Sequence, residues 1–314
     1  MHKNDLGLVA FTVPAEEVTR LKALGCLRDK TTADCFNVRV ITRNGMITAA
    51  ESRAIAEAAE KFGSGKLAMT SRLTVEIQTV PYENVESLRQ YLAQYGLETG
   101  GTGAKVRPVV SCKGTTCQFG LIDTYSLSLK VHERFFEGYA HVKLPHKFKI
   151  AVGGCPNNCV KPDLNDVGIV GQRVLVRNLD ACRGCKKCQI QAACPLKICS
   201  VQDGKLVLDE SACNNCSRCM GKCPFHVTDE FENGYAVYIC GRWGKKVARG
   251  QRLSRIFTSE EEVLSVVEKC ILLFREQGQP GERFADTVAR IGFAKAEEML
   301  LSDELLRRKD EILK

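Results

Sequence analysis

Two cysteine runs constrain this chain more than any other feature: Cys182-x2-Cys185-x2-Cys188-x5-Cys194-Pro195 and Cys213-x2-Cys216-x2-Cys219-x3-Cys223-Pro224. Thiols this close in sequence cannot pair locally as disulfides without strain, but they wrap a metal centre readily. Three thiolates at two-residue steps suit three corners of an iron–sulfur cube, and the cysteine before proline in the other run supplies the fourth. On that logic Cys182, Cys185, Cys188 and Cys223 hold one [4Fe–4S] cluster, and Cys213, Cys216, Cys219 and Cys194 hold a second. Zinc is the competing reading of Cys-x2-Cys steps. A third cysteine at the same step in both runs, with Cys-Pro twice, is more than four-coordinate zinc needs. The x5 interval exceeds the usual x3 by two residues, so the loop near Cys194 is expected to be longer.

The whole chain has 314 residues and 17 cysteines. A second, separate set is Cys112-Lys-Gly-Thr-Thr-Cys117 followed, after 37 intervening residues, by Cys155-Pro-Asn-Asn-Cys159. Neither pair has the ferredoxin spacing, so a third centre is implied. The remaining five, Cys26, Cys35, Cys199, Cys240 and Cys270, read as scattered buried thiols. The opening Met1-His2-Lys3-Asn4-Asp5 shows no apolar signal region, which argues against a secreted disulfide scaffold and for reduced thiols in a cytoplasmic, anaerobic setting.

Around these sets the chain reads as an α+β protein. Phe36, Val38 and Val40 alternate with Asn37 and Arg39 as a strand, and Leu73, Val75 and Ile77 do the same. Thr48 with Glu51 forms a capping box for a helix to Phe62 that stops at Gly63. A second helix, about Asn84 to Tyr95, ends at Gly96 in a left-handed cap. Strand-like runs at 168–176 and 234–239 flank the eight-cysteine segment, which therefore reads as an insert between two strands of a larger domain. Ser259 starts a long helix to about Gln277, and the rest is helical with a charged, frayed tail. No stretch approaches the roughly 18 apolar residues of a membrane span. The net charge of +8 comes without a basic run interleaved with aromatics, so nucleic-acid binding is disfavoured.

From Val142 to Val152 the pattern alternates, with Val142, Leu144, Phe148, Ile150 and Val152 on one side of a strand and Lys143, Lys147 and Lys149 on the other. Three ammoniums on one face repel each other unless an anion sits opposite. Arg72 and Arg39 lie on the polar sides of their strands, with Arg43 on the same face as Arg39. The five histidines show no metal-ligand spacing, and His146 falls on the apolar side, packed rather than catalytic.

Two resemblances follow. The segment of roughly 45 residues with the eight cysteines resembles bacterial two-cluster ferredoxins. Gly154-Cys155-x3-Cys159-x6-Asp166-Val167-Gly168-Ile169 resembles the signature of sirohaem-containing sulfite and nitrite reductases, although Gly153 replaces the usual Ser, Thr or Val and Cys112-x4-Cys117 is one residue tighter than in many members. Thr70-Ser71-Arg72, Leu144-Pro-His-Lys-Phe-Lys149 and Pro280-Gly281-Glu282-Arg283-Phe284 also have counterparts. A single reductase half with an inserted ferredoxin is most similar to dissimilatory sulfite reductases and to the catalytic subunit of anaerobic sulfite reductases.

The resemblance implies an N-terminal ferredoxin-like reductase domain (1–98), a sirohaem and [4Fe–4S] core (99–176), the inserted ferredoxin domain (177–230) and the rest of the sirohaem domain (231–314). It implies sirohaem and three [4Fe–4S] clusters, one of them held by Cys112, Cys117, Cys155 and Cys159, with Cys159 bridging to the haem iron. Arg39, Arg72, Lys147 and Lys149 then form the pocket for the oxyanion, and Arg107 and Lys113 face macrocycle carboxylates. The implied activity is reduction of sulfite to sulfide with electrons from a ferredoxin or a flavin/iron–sulfur subunit, in a homo- or hetero-oligomer. Two readings stay open beside it: nitrite reduction on the same site, and a non-catalytic sirohaem or electron-transfer protein.

Overall fold

The computed structural model describes residues 10–314; the opening residues read above for a signal region lie outside them. Two sheets and a small cysteine-rich unit organise the chain. The first layer runs α1 (Ala15–Ala23), β1 (Cys26–Arg28), β2 (Cys35–Val40), α2 (Ala49–Phe62), β3 (Leu67–Met69), β4 (Val75–Pro81) and α3 (Val85–Ala93). Its antiparallel sheet has the order β1-β2-β4-β3. Phe36, Val38, Val40, Val75 and Ile77 are buried from the sheet, against Ile55 and Ala58 of α2 and Leu88 and Leu92 of α3. The capping box at α2 is formed, with the Thr48 hydroxyl accepting from the Glu51 amide and the Glu51 carboxylate accepting from the Thr48 amide. Gly96 takes φ +68° just past α3, the left-handed conformation a glycine reaches without strain.

Leu73 does not belong to a strand. It has φ +58° in the turn joining β3 to β4, closed by the Thr70 amide donating to the Thr74 carbonyl at 2.9 Å. Arg72 is therefore a turn residue, and β3, short and largely exposed, left no alternation long enough to read.

The second layer contains β5 (Val110–Ser111), α4 (Thr124–Val131) continued by a wider π turn (His132–Glu137), β6 (Ile150–Gly153) and β7 (Val167–Val176). After the insert come β10 (Glu230–Ile239), β11 (Gln251–Phe257), α6 (Glu260–Gln277), α7 (Phe284–Ile291), α8 (Phe293–Leu301), α9 (Glu304–Arg307) and α10 (Lys309–Leu313). The sheet order is β11-β10-β7-β6-β5, with β5, β6 and β7 parallel and the other pairs antiparallel. Buried α6 residues such as Val263, Val267, Ile271 and Phe274 pack with Phe148, Ile150 and Ile169 of this layer.

β7 and β10 pair in unbroken register from Val167 opposite Ile239 to Val176 opposite Glu230. The intervening residues leave and re-enter the sheet at one point, so they add a unit without disturbing the ladder. That unit contains α5 (Gln189–Ala193) and a hairpin of β8 (Cys199–Gln202) and β9 (Lys205–Leu208). The hairpin turns at Asp203-Gly204, both at positive φ, as a two-residue turn of this hand requires. The longer Cys188-x5-Cys194 interval is α5 itself. The Arg173 amide donates to the Asn215 carbonyl at 3.0 Å and ties the unit to β7.

Two expectations are corrected. No strand forms over 142–149: burial alternates there, but Pro145 has no amide to donate, and only Phe148 makes a bridge, to Val106. His146 is accordingly half-buried in an irregular segment, its Nδ1 accepting from the Lys147 amide at 2.7 Å. The C-terminal tail is not frayed, because Ile312 is buried and Lys309 reaches Glu268 at 2.6 Å. Among the described residues, no helix is long and apolar enough to cross a membrane.

Glu268, 2% exposed, also accepts from the Tyr139 hydroxyl at 2.7 Å and from Arg134 at 2.6 Å. Burial raises its pKa, but the hydrogen bonds from Lys309, Tyr139 and Arg134 outweigh that and hold it below the ordinary range. Glu268→Ala strands the buried Tyr139 hydroxyl and should lower stability by about 1–3 kcal/mol. The urea midpoint measures this, and an unchanged midpoint would show that the C-terminal helices dock without the carboxylate.

Candidate functional site

Parallel pairing of β5 with β6 (Val110 opposite Ala151, Ser111 opposite Val152) makes the two chain segments leave the sheet side by side. Cys112 follows β5 immediately, and Cys155 follows β6 after one residue. The Cys112 amide donates to the Val152 carbonyl at 3.1 Å, and the Gly154 amide donates to Cys112 Sγ at 3.2 Å. Gly114 and Gly154 touch: a Cβ on either would lie 2.8 Å from the other's Cα, so only glycine lets the two loops meet. Gly153 has a similar reason, since a Cβ there would lie 2.8 Å from Pro162 Cγ. The Thr124 hydroxyl fixes the first loop by donating to the Cys112 carbonyl at 2.7 Å.

The tighter Cys112-x4-Cys117 interval is one 3₁₀ turn, Gly114–Thr116. Cys112, Cys117 and Cys155 are half-buried and Cys159 is exposed. Burial raises the Cys155 pKa, the Asn157 amide opposes the rise, and the neighbouring Cys112, Cys159 and Cys117 add to it.

Beside these loops Arg72 and Lys149 line one cavity with Ser71, Lys161, Asn165 and Trp243. Arg72 Nε and Nη2 donate to the Pro108 carbonyl at 3.0 and 2.6 Å, Nη2 to the Ile150 carbonyl at 3.1 Å, and Nη1 to Asn165 Oδ1 at 3.1 Å. It thus clamps the first layer onto the second, with most of its donors satisfied by protein. Burial lowers its pKa to about 10. The Lys149 amide donates to Asp166 Oδ2 at 2.8 Å. Its side chain is lowered to about 8 by burial and then by Arg72, Arg283 and Lys147.

Lys147 does not share that cavity. Burial lowers its pKa, and Arg283, Arg107 and Arg242 lower it further, while Lys147 in turn lowers Lys149, so the two lysines belong to one cationic group. Arg39 pairs with Glu76 at 2.9 Å across β2 and β4. Arg43, at φ +58° past the end of β2, turns away to Glu51 at 2.6 Å and does not share Arg39's face.

Arg107 donates to the Gly101 carbonyl at 2.6 Å, and burial, then Arg39 and Arg283, lowers it to about 10. Lys113 is exposed in the first cysteine loop. The Nε atoms of Arg39, Arg107 and Arg283 are buried without a hydrogen-bond partner.

Three contributors were not singled out from the sequence. Lys161, two residues past Cys159, reaches the cavity from a left-handed conformation at φ +49°. Trp243, 56% exposed, lies 5.7 Å from its ammonium. Arg283 Nη2 donates to both oxygens of the fully buried Asp166 at 2.9 and 2.8 Å. Proximity to Cys159 was the available signal for Lys161, and Asp166 and Arg283 each lay in a matched motif, but nothing local pairs them.

In the inserted unit one cavity is lined by Cys194, Cys213, Cys216 and Cys219, and another by Cys182, Cys185, Cys188 and Cys223. Each set takes three cysteines from one run and the pre-proline cysteine from the other. Among the described residues no three His, Cys, Asp or Glu side chains converge to hold one metal ion.

Comparison with known proteins places residues 102–308 in the family described as the nitrite and sulphite reductase 4Fe-4S domain, and residues 28–95 in the nitrite/sulfite reductase ferredoxin-like half domain. An uncharacterized protein of Methanocaldococcus jannaschii is 33% identical over 82% of this chain and 88% of its own length. A coenzyme F420-dependent sulfite reductase of that organism is 30% identical over 78% of this chain but only 38% of its own length. Among solved structures, dissimilatory sulfite reductase I shares the fold, with a TM-score of 0.68 at 22% identity over 85% of this chain and 69% of that one.

Burial raises the Asp166 pKa against the pull of Arg283, so Arg283→Met leaves a buried carboxyl without its cation and should cost about 3–5 kcal/mol. Asp166→Asn in the same chain should recover part of that loss. Denaturant unfolding of both single variants and the double gives the coupling energy, and strict additivity would show that the pair does not act as a unit.

Proposed function

The chain belongs to the nitrite and sulphite reductase family, and from that membership we propose that it catalyses the six-electron reduction of sulfite to sulfide. The observation that carries this reading is the meeting of two cysteine loops at the ends of β5 and β6, beside a cavity walled by Arg72, Lys149 and Lys161. Cys112, Cys117, Cys155 and Cys159 would hold a [4Fe–4S] cluster, with the exposed Cys159 offering the thiolate that reaches sirohaem iron. The unsatisfied Nε–H donors of Arg39, Arg107 and Arg283 suit the carboxylates of that macrocycle, and Lys113 is placed to join them. Bound sirohaem and three clusters would supply the one-electron carriers that no side chain provides.

The protein's own residues do the rest. Lys149, Lys161 and Arg72 hold the anion electrostatically in a partly buried site, where charge counts for more than in water. Lys149 Nζ, lowered to about 8, gives up a proton at small cost near neutral pH and serves oxygens leaving as water. Lys147, within electrostatic range of Lys149, adds to the positive field. Arg183, Lys186 and Lys187 are exposed among Cys182, Cys185 and Cys188 and suit electron entry from an acidic ferredoxin or flavin/iron–sulfur donor.

Anaerobically purified protein should show sirohaem absorption and about twelve non-haem irons, from three cubes of four, and should form sulfide from sulfite with reduced viologen. Iron–sulfur absorbance alone, or faster turnover of nitrite than of sulfite, would overturn the assignment. Lys149→Ala should retain haem colour while turnover falls about 10²-fold.

Because a lowered lysine is charged below its pKa and neutral above it, anion binding should weaken as pH rises through about 8. Nitrite affinity tests this cleanly, since nitrite does not itself titrate there. Lys149→Gln should remove the inflection, and an inflection that persists would assign it to another group.

A further inference from the structure

The cavity bounded by Cys194, Cys213, Cys216 and Cys219 contains a fifth sulfur. Cys199 lines the same cavity, opens the hairpin strand β8, and is 6% exposed. Cys194 and Cys219 pack against the same small core to which Cys199 belongs, so the fifth sulfur sits among the walls that carry the other four. Cys199 also belongs to the small core of the inserted unit, with Ile190, Leu206 and Val227. A buried cysteine in such a core is ordinarily a small apolar side chain, and alanine or valine would fill the position as well. What distinguishes this one is its place, on the wall of a cavity that carries four other cysteines.

Resting on the reading that this cavity holds a cluster, we propose that Cys199 is an alternate ligand for the corner that Cys194 holds. The exchange involves no oxidation or reduction. The iron–sulfur bond to Cys194 breaks, Cys199 releases its proton to water, and its thiolate bonds the same iron. The route is short because only four residues, Pro195 to Ile198, separate Cys194 from Cys199 at the start of β8, and they form a turn outside any helix or strand. The cavity of the other set, Cys182, Cys185, Cys188 and Cys223, has no fifth cysteine on its wall, although Cys199 borders a separate cavity with Cys194 and Cys188.

The test is iron counting and low-temperature EPR on full-length protein reconstituted anaerobically with iron and sulfide. Cys194→Ala should keep the wild-type iron content, with an altered EPR signal for one cluster. Cys194→Ala combined with Cys199→Ala should lose about four irons, one cube. Cys223→Ala, at the corresponding corner of the other set, should lose a cube as a single change. Cys194→Ser repeats the measurement with a side chain near the original size, and haem absorbance in each sample reports that the remainder of the chain is folded. If, in samples with haem retained, Cys194→Ala and Cys194→Ser lose as much iron as the double variant, Cys199 is only a packing residue and the proposal fails. Wild-type protein that takes up no iron in the inserted unit would instead overturn the cluster reading on which it rests.

Discussion

The parallel pairing of β5 with β6 is the constraint on which the candidate centre depends. Parallel strands end on the same edge of a sheet, so chain segments that leave them start as neighbours whatever their separation in sequence. Here that edge receives Cys112 from one strand and Cys155 from the next, and the Gly114–Gly154 contact brings the loops to backbone distance. Placement of ligands at the carboxyl edge of parallel strands is a general property of such sheets. Here it gathers thiols and, one layer away, cations.

The cations are concentrated at a cost that the structure leaves visible. Lys149, Arg72 and Arg107 all have pKa values pushed down, by burial first and then, for each, by one another or by Arg283. Asp166 is the buried carboxylate among them, and its two oxygens are taken up by Arg283 and the Lys149 amide. Buried positive charges in excess of their carboxylate partners, with several unmatched N–H donors, repel one another, and an anion at the proposed site would relieve that repulsion. Arg72 has a double part: its guanidinium holds the first layer to the second through backbone carbonyls while its edge lines the cavity. Removing it would disturb domain contact as well as charge.

The inserted unit illustrates how a sheet takes in a second module. A long antiparallel pair such as β7 and β10 has fixed register, so residues added at its open end do not shift the core. The unit has only a four-residue buried core of its own. A unit this small ordinarily needs disulfides or metal to persist, which is consistent with the density of cysteines around it.

Much of this was legible in the sequence. Cysteine spacing divides the eight insert thiols into two sets, and each set also lines a cavity of its own. The capping box at Thr48, the helix start at Ser259 and the strands flanking the insert are likewise local effects. Alternation misled where its premise failed: Val142 to Lys149 alternates in burial without being a strand, because Pro145 breaks the ladder, and of the two lysines only Lys149 lines the cavity with Arg72. Helical periodicity could not show that the last helices dock, since that depends on Glu268 lying opposite Lys309.

What the sequence determined alone was the chemistry of the donors: soft thiolates in sets, and more cations than carboxylates. What only the tertiary structure decided was which distant groups meet. Arg72 with Asn165, Asp166 with Arg283, and Cys112 with Cys155 are joined by strand order and by close glycine contact. Those are consequences of long-range packing that no short window of residues contains.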